Sequence, residues 1–184
     1  MLDEGQIIRD YSIEKRLYRG VDFNLYIATY TPLNKKVTLK AFPRAETDKD
    51  VIVKELKLYS SIDSIFLPSL IEYIEDVNGF YFIFDYFNGE TLFQFIKKTG
   101  PLRDSQTMHI FVQIMSALNY FHNTLKKIHG CITLDNILIN QEGNIYFVNL
   151  GMGTSSSILG TEKHDVIPFC SPEVIQGLNI YYDA

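Results

Sequence analysis

Apolar positions along this chain switch between a two-residue period and one of about 3.6 residues, and the switches mark the elements. In Tyr11 to Leu17, Leu25 to Tyr30 and Lys36 to Phe42, β-branched and aromatic residues alternate or cluster as in strands. Thr31-Pro32-Leu33-Asn34 supplies turn chemistry between the last two. From Asp48 to Ser60 the spacing becomes helical, with Val51, Ile52, Leu56 and Tyr59 on one side, charges on the other, and Asp48 placed to cap the start. Strand-like runs return at Leu70 to Asp76 and Phe80 to Tyr86, joined by Asn78-Gly79, a hairpin signal. Beyond Phe87-Asn88-Gly89 the chain turns helical. Thr91 and Gln94 have capping-box spacing, and Gly100-Pro101 ends that helix. A longer helix is predicted from Asp104 to Asn123, with Met108, Phe111, Val112, Met115 and Leu118 as its apolar stripe. Two short strands, Ile137 to Ile139 and Ile145 to Val148, follow, and Gly151 to Ala184 shows no clear period and reads as loop.

Composition narrows the class. The 184 residues are 46% hydrophobic and 21% charged, which suits a globular chain with a real core. A net charge of −5 argues against nucleic acid or an anionic membrane as the main partner. The two cysteines, Cys131 and Cys170, form no disulfide framework and fit a reducing compartment. Met1-Leu2-Asp3-Glu4-Gly5 carries no secretion signal, so a cytoplasmic location is expected. The longest uncharged stretch, Ser105 to Leu125, contains Gln, Asn, His, Ser and Thr, and suits an amphipathic helix better than a membrane span.

Several short motifs fall at telling places in this order. Val37-Thr38-Leu39-Lys40 lies on the third strand, and Glu55 on the helix after it. A half-buried lysine needs such a carboxylate, because an unpaired charge is costly to desolvate. His129-Gly130-Cys131-Ile132-Thr133-Leu134-Asp135-Asn136-Ile137-Leu138 follows the long helix, then Asn149-Leu150-Gly151, then Ser171-Pro172-Glu173. Together these resemble the protein kinase domain: its V-A-I-K strand, its catalytic loop H-R-D-L-K-P-E-N-I-L, its D-F-G and its A-P-E. The resemblance covers residues 11–184. It implies an α+β two-lobe fold: a five-stranded antiparallel N-lobe with one helix over about residues 11–87, and an incomplete, mainly helical C-lobe over 88–184. The family domain continues past A-P-E, so the chain is expected to be truncated there and to expose apolar surface.

The resemblance assigns roles residue by residue. Lys40 would meet nucleotide phosphates and Glu55 would hold it. Leu25 and Thr38 would line an adenine pocket, Asp85 to Phe87 would be the hinge, and Asn136 would be a metal ligand. The glycine-rich loop aligns with Tyr18 to Leu25, where only Gly20 survives, and Tyr18 and Phe23 would obstruct phosphates or leave the loop folded away. Cys131 stands in place of the catalytic aspartate, Thr133 in place of the catalytic-loop lysine, and Gly130 in place of the arginine that pairs with an activation-loop phosphate. Asn149 stands in place of the magnesium-binding aspartate.

These departures remove chemistry. Magnesium prefers carboxylates, so losing one at Asn149 should leave metal binding weak or absent. A general base is worth about 10²- to 10⁴-fold in rate. Cys131 could act only as thiolate, roughly 3% of an unperturbed thiol at pH 7. The expectation is a pseudokinase that regulates or scaffolds protein partners, such as an active kinase or a substrate. Lys40 and Glu55 leave room for ATP without metal. The alternative is a weak or atypical ATP-dependent Ser/Thr kinase using Asn136 and a displaced acid; a nonfunctional remnant is a third. A Cys131–His129 nucleophilic pair competes with a core-packed histidine, the commoner role. His109, His122 and His164 lack zinc spacing with the cysteines. Thr154-Ser155-Ser156-Ser157 reads as a solvated loop or a phosphorylation target.

Overall fold

A computed structural model of the chain describes residues 2–20, 22–129, 132–148, 150, 169, 172 and 176. The chain divides into two compact units, Met1–Ile62 with Ser69–Tyr86, and Asp63–Pro68 with Phe87–Ala184.

The first unit is built on six antiparallel strands: β1 (Ile7–Ile8), β2 (Tyr11–Arg19), β3 (Asn24–Tyr30), β4 (Lys35–Pro43), β5 (Leu70–Glu75) and β6 (Gly79–Asp85). They lie in the order β1-β2-β3-β4-β6-β5, so the five expected strands gain a two-residue neighbour at one edge. Strand alternation divides the buried residues between two faces. One face carries Tyr26 and Ala28 of β3, Val37, Leu39 and Ala41 of β4, Ile74 of β5, and Tyr81 and Ile83 of β6, and Leu2 and Ile8 pack against them. The Tyr26 hydroxyl accepts a hydrogen bond from the Leu2 N–H (3.2 Å). The sheet curls far enough for β2 to meet β5. There the Tyr11 hydroxyl donates to Glu72 Oε2 (2.8 Å) and Arg9 donates to Glu72 Oε1 (2.9 Å).

The other face carries Lys40 and Phe42 of β4 and Phe82 and Phe84 of β6, with helix α1 (Lys49–Ser60) against it. Asp48 caps α1 as expected, its carboxylate accepting from the Asp50 N–H. The buried side is Ile52, Leu58 and Tyr59, with Leu56 half-buried, whereas Val51 is exposed. Val51 departs from the expected apolar side because its neighbour Ile52 faces the sheet, and adjacent positions on a helix point about 100° apart.

The β5–β6 hairpin forms where Asn78-Gly79 marks it, but not through left-handed backbone at those residues, neither of which has positive φ. Asp76 Oδ1 accepts from the N–H groups of Asn78 (2.7 Å) and Gly79 (2.9 Å), an Asx-type turn. Gly79 is needed for proximity. A Cβ there would lie 2.5 Å from the Phe42 carbonyl oxygen.

In the second unit, β7 (Glu90–Thr91), β8 (Ile137–Ile139) and β9 (Ile145–Phe147) form a small antiparallel sheet beside α2 (Leu92–Thr99) and α3 (Asp104–Asn123). The Thr91/Gln94 capping box is present, and Gly100, at φ 82°, closes α2. Helix α3 has the expected bounds but a different buried face. Ile110, Ala117 and Phe121 are buried, while Met108, Phe111, Val112 and Met115 are 49–61% exposed. Gln113 lies near the buried side because its amide is used twice. It donates to the Gly143 carbonyl (2.9 Å) and accepts from the Ile145 N–H (3.1 Å). Among the described residues no helix is long and apolar enough to cross a membrane.

Candidate functional site

The register of the first sheet places three of the expected site residues, Leu25, Thr38 and Lys40, on one face. Leu25 of β3 lies opposite Lys40 of β4, which lies opposite Phe82 of β6; Thr38 lies between Ile27 and Phe84. Residues directly opposite in a ladder share a face, as do residues two apart on one strand. Leu25, Thr38 and Lys40 therefore line one surface, with Leu25 and Thr38 half-buried.

Lys40 is 2% exposed, and its Nζ donates to Glu55 Oε2 at 2.7 Å. Helix α1 presents Glu55 on the same side as Tyr59, one turn on, and this fixes the pair. Three aromatic rings enclose the rest of the ammonium: the centroid of Phe23 is 4.3 Å from Nζ, that of Phe42 5.0 Å and that of Tyr59 5.4 Å. Burial lowers the Lys40 pKa from its ordinary value, while the Glu55 carboxylate and the charge of Asp22 pull it back up. Burial likewise raises the Tyr59 pKa well above the usual phenol value, with the Glu55 charge adding to it.

Phe42 and Tyr59 were not singled out from the sequence as site residues. The signal was available, since Phe42 is two positions after Lys40 on its strand and Tyr59 is four after Glu55 on its helix. Gly20 closes a tight turn ahead of β3, its N–H donating to the Phe23 carbonyl at 3.0 Å. A Cβ on Gly20 would come within 2.7 Å of that oxygen. Phe23 is buried, with its ring 5.6 Å from Tyr18 and 5.7 Å from Phe42. Asp85 ends β6 with its carboxylate accepting from the Ser69 N–H (2.8 Å).

In the second unit Phe87 stacks on Tyr146 at 4.8 Å. His129 is buried between Phe121 and Phe147, at ring distances of 5.4 and 5.3 Å. Burial lowers its pKa to about 4, so it is neutral at physiological pH. That is the core-packed placement weighed against the nucleophilic pair. Thr133 is also buried, and its carbonyl accepts from the Asn136 N–H (3.1 Å). The Asn136 carbonyl accepts in turn from the Val148 N–H (3.0 Å), which ties this loop to the end of β9. Gly130, Cys131, Asn149, Thr154 to Ser157, His164 and Cys170 lie outside the described residues, as do Ser171 and Glu173. Among the described residues, no group of three or more His, Cys, Asp or Glu is arranged to hold a metal ion.

A family model for the protein kinase domain matches residues 11–184. Sperm motility kinase 3A of Mus musculus is 29% identical over all of this chain and 36% of its own length. Serine/threonine-protein kinase PrkC of Bacillus subtilis is 29% identical over 96% of this chain and 28% of its own length. The chain thus spans about a third of the length of the curated relatives it matches. Among solved structures, Rad53 1-466 in complex with AMP-PNP superposes with a TM-score of 0.75 at 23% identity, over 91% of this chain and 43% of that one. The apo form of PpkA-294 gives 0.71 at 16% identity, over 91% of this chain and 67% of that one. At these identities the likeness is one of fold.

Proposed function

The chain belongs to the protein kinase family, and from that premise we propose that it is a noncatalytic kinase-like module that regulates or scaffolds protein partners. The observation that carries this is the substitution of Cys131 and Asn149 at the two positions where the family has acidic side chains. A neutral thiol is a poor proton acceptor for an alcohol, and a neutral amide is a poor ligand for magnesium. The described site agrees in character. Neutral Thr133, which is buried, stands where the family has a catalytic-loop lysine. The proposed partners are an active kinase or one of its substrates, bound through surfaces rather than through turnover.

A second reading, a weak ATP-dependent Ser/Thr kinase, draws on the intact Lys40–Glu55 pair, on Asn136, and on relatives named as serine/threonine kinases. The two differ in how metal affects nucleotide binding. In a thermal-shift titration with ATP, we expect the same unfolding midpoint with and without magnesium, because no second anionic ligand joins nucleotide and metal. A midpoint raised by several degrees only when magnesium accompanies ATP would overturn the noncatalytic reading.

A further inference from the structure

We propose that the Phe23 ring is a built-in occupant of the Lys40 site, and that it must swing out before a phosphate of a nucleoside triphosphate can touch the ammonium. This deepens the function proposed above and rests on its reading of Lys40 as the phosphate-facing lysine.

The placement follows from strand geometry. Asn24 pairs with Ala41 and Leu25 with Lys40, so the residue before Asn24 continues the Leu25 side of the ladder and points at Phe42 and Lys40. The family has a bare glycine at this position, and here a side chain fills the space. The Phe23 ring lies 4.3 Å from Nζ and is 2% exposed. A phosphate oxygen would have to come to about 2.8 Å of Nζ to form a charge-assisted hydrogen bond. With Glu55 on one side and rings on the others, nothing in solution reaches Nζ unless one of them moves.

Phe23 is the group free to do so. Phe42 lies within β4, paired with Phe80 of β6, and Tyr59 is held on α1. Phe23 lies just ahead of β3 rather than within a strand or helix, and among the described residues it is held by the Gly20 N–H to Phe23 carbonyl bond and by the ring of Tyr18. The face of the ring attracts the cation, which favours the closed state. Asp22, whose charge reaches Lys40, also opposes a polyphosphate.

The test compares the wild-type chain with Phe23→Gly and Phe23→Leu. Magnesium-free binding of a fluorescent ATP analogue is titrated, and the acylation rate of Lys40 is followed by peptide mass spectrometry with exposed Lys54 as internal standard. We expect Phe23→Gly to bind at least about tenfold more tightly than wild type and Lys40 to label at least about tenfold faster. Phe23→Leu, which keeps apolar bulk over Nζ, should stay near wild type. Equal affinity and equal labelling in wild type and Phe23→Gly would overturn the proposal. Should Phe23→Gly fail to fold, the wild type decides: Lys40 labelling as fast as Lys54 refutes the occupant, and strong protection supports it. Equal magnesium-free binding and equal labelling sink this inference but not the noncatalytic reading, whereas a magnesium-enhanced shift sinks that reading and leaves the role of Phe23 standing.

Discussion

Replacing Glu55 with Gln is expected to cost this protein about 3–5 kcal/mol of stability near neutral pH, because it leaves the Lys40 ammonium buried without its hydrogen-bonded counter-charge, with only the weaker influence of Asp22 remaining. The pH dependence has a defined sign. Burial holds the folded-state pKa of Lys40 below its ordinary value, so between those two values the unfolded chain binds more protons than the folded one. Stability therefore rises with pH across that window, and the cost of the charge is fully present below it. Without Glu55 the pKa falls further and the cost at neutral pH grows. The gap between wild type and Glu55→Gln should thus be widest near pH 7 and shrink as pH rises toward about 10. Tyr81, whose phenol is raised by burial and by Asp76, is common to both proteins and cancels in the difference, whereas Tyr59 loses the part of its upward shift that the Glu55 charge supplies, so the comparison is read below the range in which buried phenols ionise. Lys40→Met combined with Glu55→Leu should be neutral or stabilising, since an apolar pair replaces an ion pair in an aromatic enclosure. Urea denaturation at several pH values reads all of this. A Glu55→Gln cost below about 0.5 kcal/mol, flat in pH, would show that Lys40 is not enclosed.

Phe82→Ala should remove about 3–5 kcal/mol, enough to unfold much of a chain of ordinary stability. Phe82 is fully buried on the face that carries Lys40. Its ring meets Tyr73 at 5.2 Å, Phe42 at 5.7 Å, Tyr59 at 6.1 Å and Phe84 at 6.4 Å. One truncation therefore opens a cavity that strands on both sides and α1 must share. Phe111→Ala on α3 is the matched contrast. Its side chain is half exposed, and the expected change is within about 0.5 kcal/mol. Equal costs for the two substitutions, measured by denaturant unfolding, would contradict the assignment of buried and exposed faces.

That contrast also shows where periodicity stops being informative. Strand and helix bounds were legible because period and caps agree locally: Asp48 before α1, Thr91 with Gln94 on α2, Gly100 after it. The face of α3 was not, because apolar residues surround more than half of the helix. Met108, Phe111, Val112 and Met115 make one stripe, and Ile110, Ala117 and Phe121 another. Spacing identifies both stripes but not which one meets β9, and that choice is made by long-range contacts such as the Gln113 amide. Similarly, the Lys40–Glu55 pair could be read from motif spacing, whereas the aromatic enclosure depended on register between strands far apart in sequence. Phe23 was visible as a missing glycine. Its position over the ammonium became visible only with the Asn24–Ala41 pairing in place.

The noncatalytic function proposed above rests on a kinase fold that carries Cys131 and Asn149 where the family has acidic side chains. Its most direct test is the initial rate of γ-phosphate transfer from ATP to serine or threonine peptides by the purified wild-type chain, in magnesium and in manganese. The prediction is a rate indistinguishable from that of Lys40→Met. Robust, metal-dependent phosphorylation that Lys40→Met abolishes would contradict the account.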